Sequence, residues 1–215
     1  MLGVRQTTCN DLCYLELDIP PVKAIVTRKQ RLFVQRLNRE RRGQHEDPWL
    51  HAVSLILGAR HATSRYLHDL LTVNVDDERA ALAQLKETVE MSDSSRRIKY
   101  VVMNLRMTKH PVYCQRSASP SQELHRQAFT RLRVSAHSLA IETGRWNRGG
   151  RGRLPVEQRL CECGEVQDEI HVVEVCPRTE DIRKEYGYTT YQELIIEDTN
   201  FPTMEIIFII LSSYQ

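Results

Sequence analysis

A mainly α-helical fold is predicted by three features of the chain. Apolar residues recur at helical spacing almost throughout its 215 residues. A hydrophobic content of 41 % and a charged content of 27 % are those of a soluble globular protein. That length suffices for one real core, alone or with a small satellite. The third feature is a cysteine–histidine cluster near the C-terminus, which marks the satellite. The expected order is a helical domain, a small metal-ligating module and short terminal helices, with no internal repeat.

The first long helix is expected over 22–42. Val22, Ile25, Val26, Leu32, Phe33 and Leu37 form its apolar stripe, Pro20-Pro21 marks its start and Gly43 its end. Short apolar-faced segments follow at 48–57 and 61–71, around Gly58. The acids Asp76, Asp77 and Glu78 suit the N-terminal dipole of a helix reaching 91, with Ala81, Leu82, Leu85 and Val89 as its buried stripe. Further helices are expected over 96–107, 122–133 and 138–143, the last closed by Gly144. After the cysteine–histidine cluster come 179–186, 191–196 and 202–211. The apolar run Met204 to Leu211 is far too short to span a bilayer and reads as a docking helix or terminal strand.

Cys161, Cys163, His171 and Cys176 run as C-x-C-x7-H-x4-C. Three thiols and one imidazole complete a tetrahedral zinc set and leave no position for water, the mark of a structural site. Gly164 lets the backbone turn so that both nearby thiols face one point. The stretch 168–176 reads as a short helix stopped by Pro177. His171 and Cys176 lie five apart on it, a little over one turn, so both reach one ion only if the helix loosens at its end. The rival reading is a set of ordinary buried thiols beside a surface histidine. A Cys161–Cys163 disulfide would strain so short a loop, and the opening residues do not read as a secretory leader. Cys9, Cys13 and Cys114 have no histidine at ligand spacing and read as small buried hydrophobes.

The formal net charge of +2 conceals a division. Residues 1–159 carry 27 Lys and Arg against 16 Asp and Glu; residues 160–215 carry 3 against 12. A basic body suggests a polyanion surface. Its first cluster lies on the 22–42 helix, with Arg28, Lys29, Arg36 and Arg39 among eight cations that face one acid, Glu40. The second includes Arg131, Arg133 and Arg145, and continues through Trp146, Arg148, Arg151 and Arg153 in a glycine-rich loop. Guanidinium planes and Trp146 can stack on unpaired bases. An equal alternative is a plain linker with Trp146 in the core. Composition therefore divides the chain into a basic helical domain (1–145), an Arg/Gly-rich linker (146–160), the cysteine–histidine module (161–187) and a helical tail (188–215).

Three stretches resemble the C-terminal region of LINE-type (non-LTR) retrotransposon polyproteins. They are Leu2-Gly-Val-Arg-Gln-Thr-Thr-Cys-Asn-Asp-Leu-Cys13, the run from Arg131 through Thr143-Gly-Arg-Trp146, and Arg159-Leu-Cys-Glu-Cys-Gly to Cys176-Pro177. The resemblance implies a CCHC zinc knuckle following a reverse transcriptase, with Cys161, Cys163, His171 and Cys176 as ligands. Arg148 to Arg153 is longer and richer in glycine than that family leads one to expect. No P-loop, His-Glu-x-x-His or Gly-x-Ser-x-Gly motif occurs. Val75-Asp76-Asp77 precedes a helix-forming stretch, so it reads as a cap rather than as polymerase carboxylates. The expectation is a non-catalytic, intracellular module, nuclear or cytoplasmic, that begins after the polymerase. It would bind RNA or single-stranded DNA, and no membrane. The alternative is a protein-interaction remnant of a retroelement polymerase.

Overall fold

Amphipathic segments must cover their apolar stripes, and a computed structural model describes how they do so for residues 4, 8–41, 48, 78–146, 152–197 and 201–214. The fold is mainly helical. Among the described residues the only extended pairing is one antiparallel bridge, Leu160 to Val166. Among the described residues the α-helices are α1 (Asn10–Glu16), α2 (Val22–Arg41), α3 (Glu78–Glu90), α4 (Ser95–Met103), α5 (Pro120–Arg133), α6 (Ala140–Thr143), α7 (Glu180–Tyr186) and α8 (Phe201–Ser212). The expected helices at 48–57 and 61–71 and the Asp76–Asp77 cap lie outside the described residues, apart from Pro48. So does most of the 2–13 stretch before Thr8.

Local chemistry sets most boundaries. Ser119 caps α5 by accepting from the Gln122 amide at 3.2 Å, and Pro120 occupies the first turn, where its missing N–H costs nothing. That cap starts the helix two residues before the apolar pattern becomes visible. Helix α4 ends at Met103 rather than continuing to 107. Asn104 there donates its side-chain amide to the Thr108 carbonyl at 3.0 Å, and Met107 takes a left-handed φ of 43°. The apolar run after 201 is helix α8, not a strand. Cys114 is exposed and Cys9 and Cys13 are half-buried, so none of the three is fully buried as expected.

The chain forms two units, one of Met1–Asp18 with Val89–Gln215 and one of Ile19–Thr88. In the first, Phe129 and Leu132 of α5 share a core with Met204, Ile207 and Ile210 of α8 and with Val172 and Val173. In the second, Val34 of α2 is buried, while Val26, Leu32 and Phe33 remain 43–48 % exposed. The apolar stripe of α2 is thus only partly used by the core.

The first unit also buries charge. Glu16, at the end of α1, accepts from Arg133 Nε at 2.5 Å and Nη2 at 3.2 Å, and both side chains are almost fully enclosed. Tyr113 donates to the same carboxylate at 2.9 Å. Removing one partner leaves an uncompensated charge in the interior. Arg133→Met is expected to lower unfolding stability by about 3–5 kcal/mol, and Glu16→Leu with Arg133→Met together by less. Urea unfolding of the single and double variants checks the difference.

His110 caps the short 3₁₀ turn Pro111–Cys114, its Nδ1 accepting from the Val112 amide at 3.2 Å, with the ring against Phe129. Burial, and the charge of Arg133, lower its pKa to about 4. The unfolded chain, with His near 6.5, therefore binds the extra proton first as pH falls. Stability should decline between pH 6.5 and 4 and be restored above that window. His110→Gln should flatten the slope, as read by thermal melts across that range.

Candidate metal centre

The 159–176 segment is built around two turns. In the first, the Cys161 amide donates to the Glu165 carbonyl at 2.7 Å and the Gln167 amide to Arg159 at 2.8 Å, making a tight hairpin. Gly164 sits at its tip with φ of 95°, a conformation that favours glycine. The second is a wide turn over His171–Val175, closed by the Cys176 amide donating to the His171 carbonyl at 2.8 Å. A turn widened by one residue suits ligands five apart, and such turns recur at functional sites. The loosening that the spacing required is present, and it occupies the whole turn rather than only its end.

The two turns bring Cys161, Cys163, His171 and Cys176 together, with all ligand atoms within 4.8 Å of one another. Cys161 Sγ lies 3.7 Å from Cys176 Sγ, and Cys163 Sγ lies 3.2 Å from His171 Nε2. Tetrahedral Zn–S bonds of about 2.3 Å imply an S–S edge of roughly 3.8 Å, so the set fits a tetrahedral ion. A disulfide needs about 2.05 Å, far shorter than the separation found. Cys161 and Cys176 are buried, His171 lies at the margin of burial with 9 % exposed, and Cys163 is at the surface. Burial opposes ionisation of Cys161, but hydrogen bonds from the Cys163 backbone, His171, Cys163 and Cys176 outweigh it and lower the thiol to about 7. This Cys₃His group can hold a metal ion.

A second layer fixes the ligands. Asp168 Oδ1 accepts from the His171 amide at 2.8 Å. Arg183 of α7 donates to the Cys176 carbonyl at 2.9 Å and to Thr179 Oγ1 at 2.8 Å, while Thr179 donates to the Val172 carbonyl at 2.7 Å. Glu169 sits between the ligand segment and the helical body. It accepts from Lys99 at 2.5 Å and lies 3.0 Å from His137 Nε2. Burial would raise its pKa, but His137 and Lys99 outweigh burial and hold the carboxyl well below the usual range. None of these partners carries a sequence motif; only the charge of Glu169 one position before the helix's apolar face hints at a role.

Arg159 braces the entrance to the hairpin. It is buried, and donates to the Leu154 carbonyl at 3.1 and 2.6 Å and to the Ile141 carbonyl at 2.7 Å. Gly144 is required beside it, since a Cβ there would stand 2.7 Å from Arg159 Cγ.

The proposed phosphate contacts divide. Arg28, Lys29, Arg36 and Arg39 are exposed on α2 in the second unit, and fall within about 100° of arc at helical spacing. Arg28 pairs with Glu78 at 3.2 Å. In the first unit, Arg133 belongs to the buried ion pair and is removed from any solvent-facing surface. Arg131 is half-buried. Arg145 contacts Glu142 at 3.0 Å and Ser95 at 2.9 Å, and Glu142 also accepts from Arg96 Nε at 2.6 Å. Arg96 in turn lies over the Trp146 ring, 5.3 Å from its centroid, and Trp146 is 37 % exposed. Arg153 is exposed with no ion pair among the described residues. Arg148 and Arg151 lie outside the described residues.

Searches among protein-family models, curated proteins and solved structures found nothing that matches the chain.

Arg159→Lys keeps the charge but cannot serve both carbonyls. It should cost about 1–3 kcal/mol for a buried acceptor left unpaired, read by thermal unfolding.

Proposed function

We propose that this chain is a zinc-stabilised, non-catalytic nucleic-acid-binding module that takes RNA or single-stranded DNA, like the C-terminal end of a LINE-type retrotransposon protein. The convergence of Cys161, Cys163, His171 and Cys176 within 4.8 Å carries the reading. A closed Cys₃His set suits zinc as a structural ion, supplying folding energy rather than chemistry. The four exposed cations on one face of α2, with Arg153 in the first unit, support phosphate contact. Among the described residues no helix is long and apolar enough to cross a membrane.

Freshly purified protein should contain one zinc per chain. Chelation should loosen the 155–187 region first, because its ligand turns have little apolar packing beyond Val172 and Val173. Metal analysis without zinc would remove the site. In gel shifts, affinity should fall steeply as salt rises, as expected when several phosphates are neutralised. Changing Arg28, Lys29, Arg36 and Arg39 together to Gln should weaken all sequences about equally and flatten that dependence.

A second reading, a docking remnant of a retroelement polymerase, is favoured by one observation. Ile98 and Val102 of α4 and the nearby Leu105 are 50 %, 58 % and 77 % exposed. Absence of any shift with RNA or DNA at low salt would select this reading over the first.

A further inference from the structure

A cleft of about 260 Å³ opens beside the metal segment, between the end of α6 and the 154–160 stretch. Thr143, Gly144, Trp146, Leu154, Gln158 and Leu160 line it. It falls just below the range of about 300–1,000 Å³ usual for drug-sized ligands, so its occupant is smaller and flat or compact.

Its chemistry is uneven in an informative way. Leu154, Leu160 and Trp146 are 42 %, 49 % and 37 % exposed, a local concentration of apolar area. The Trp146 ring borders the cleft, and its position is held by Arg96, which is itself tied to the buried Glu142. The floor is braced: Gly144 admits the Arg159 side chain, whose three guanidinium nitrogens each donate to the Leu154 or Ile141 carbonyl. Two lining side chains keep hydrogen-bonding capacity. Thr143 and Gln158 make no side-chain hydrogen bond among the described residues, so a hydroxyl and a carboxamide are available at the rim. Arg153, flanked by the lining residues Gly152 and Leu154, supplies an exposed cation.

We infer that this cleft seats one unpaired nucleobase of a bound single strand. Trp146 provides the stacking surface, the Gln158 amide and Thr143 hydroxyl meet the polar edge of the base, and Arg153 meets the adjoining phosphate. The inference rests on the nucleic-acid reading above and adds to it a base-dependent site separate from the phosphate-binding face of α2. An amide can donate and accept at once, which matches the mixed donor and acceptor edge of every base. A duplex has no free base to offer, so the cleft would discriminate strandedness where the cations do not.

The test uses the full zinc-loaded chain with Trp49→Phe, which leaves Trp146 as the only tryptophan of the two. The probes are a short oligothymidine and an abasic oligomer of the same length and charge. Expected are quenching of Trp146 fluorescence by the oligothymidine alone and tighter binding of it than of the abasic strand. One stacked base corresponds to roughly 5- to 150-fold. Gln158→Ala, at an exposed position, should weaken oligothymidine binding severalfold and leave abasic binding unchanged. Equal affinity for the two oligomers without quenching would overturn the base site while leaving phosphate binding standing. Undiminished oligothymidine binding by Gln158→Ala would likewise overturn it. Failure of both oligomers to bind at low salt would overturn the nucleic-acid reading and this site together.

Discussion

A carboxylate taken out of water must be paired, and among the described residues the first unit takes three of them. Glu16 is held by Arg133 and Tyr113, Glu142 by Arg96 and Arg145, and Glu169 by Lys99 and His137. Apart from the local Arg145–Glu142 contact, each pairing joins segments distant in sequence. α1 is fixed to α5, α4 to α6, and α4 again to the turn that carries His171. Breaking one leaves a charge in a low-dielectric interior, so each pair penalises arrangements that separate its partners. The apolar core of α5, α8 and Val172–Val173 supplies the driving force, and the carboxylates select how the segments are threaded around it.

The candidate metal centre depends on that selection. Its four ligands come from a short hairpin with little apolar packing of its own and a widened turn whose Val172 and Val173 enter the core. Arg159 anchors the hairpin to carbonyls on either side of the glycine-rich loop. Arg183 and Thr179 hold the far end by the Cys176 and Val172 carbonyls, and Glu169 ties the near end to α4. Outer-layer partners of this kind orient ligands and commonly matter nearly as much as the ligands themselves. The ligand geometry is therefore a property of the helical body as much as of the cysteine–histidine spacing.

Basic residues proved to be of two kinds. Arg133, Arg159 and Arg96 are structural, their planar forks bonded to carboxylates or carbonyls inside the protein. Lys29, Arg36, Arg39 and Arg153 face solvent. A count of cations along the chain cannot separate these classes, because burial depends on which acid from another part of the sequence arrives beside each one.

The sequence by itself determined the helical class, the Cys161–Cys163–His171–Cys176 set, the glycine at 164 and most helix positions. Periodicity, caps and ligand spacing are local, and local signals survive without a fold. It placed the start of α5 late and the end of α4 too far, since a Ser119 cap and the Asn104–Thr108 bond act at the edge of the apolar pattern. It could not see that Arg133 is an interior residue, because Glu16 lies 117 positions away. Nor could it see the cleft beside Trp146, which exists only where α6, Arg159 and the 154–160 stretch meet. The tertiary structure alone decided those points, since each depends on the desolvation of groups that become neighbours only after the chain has folded.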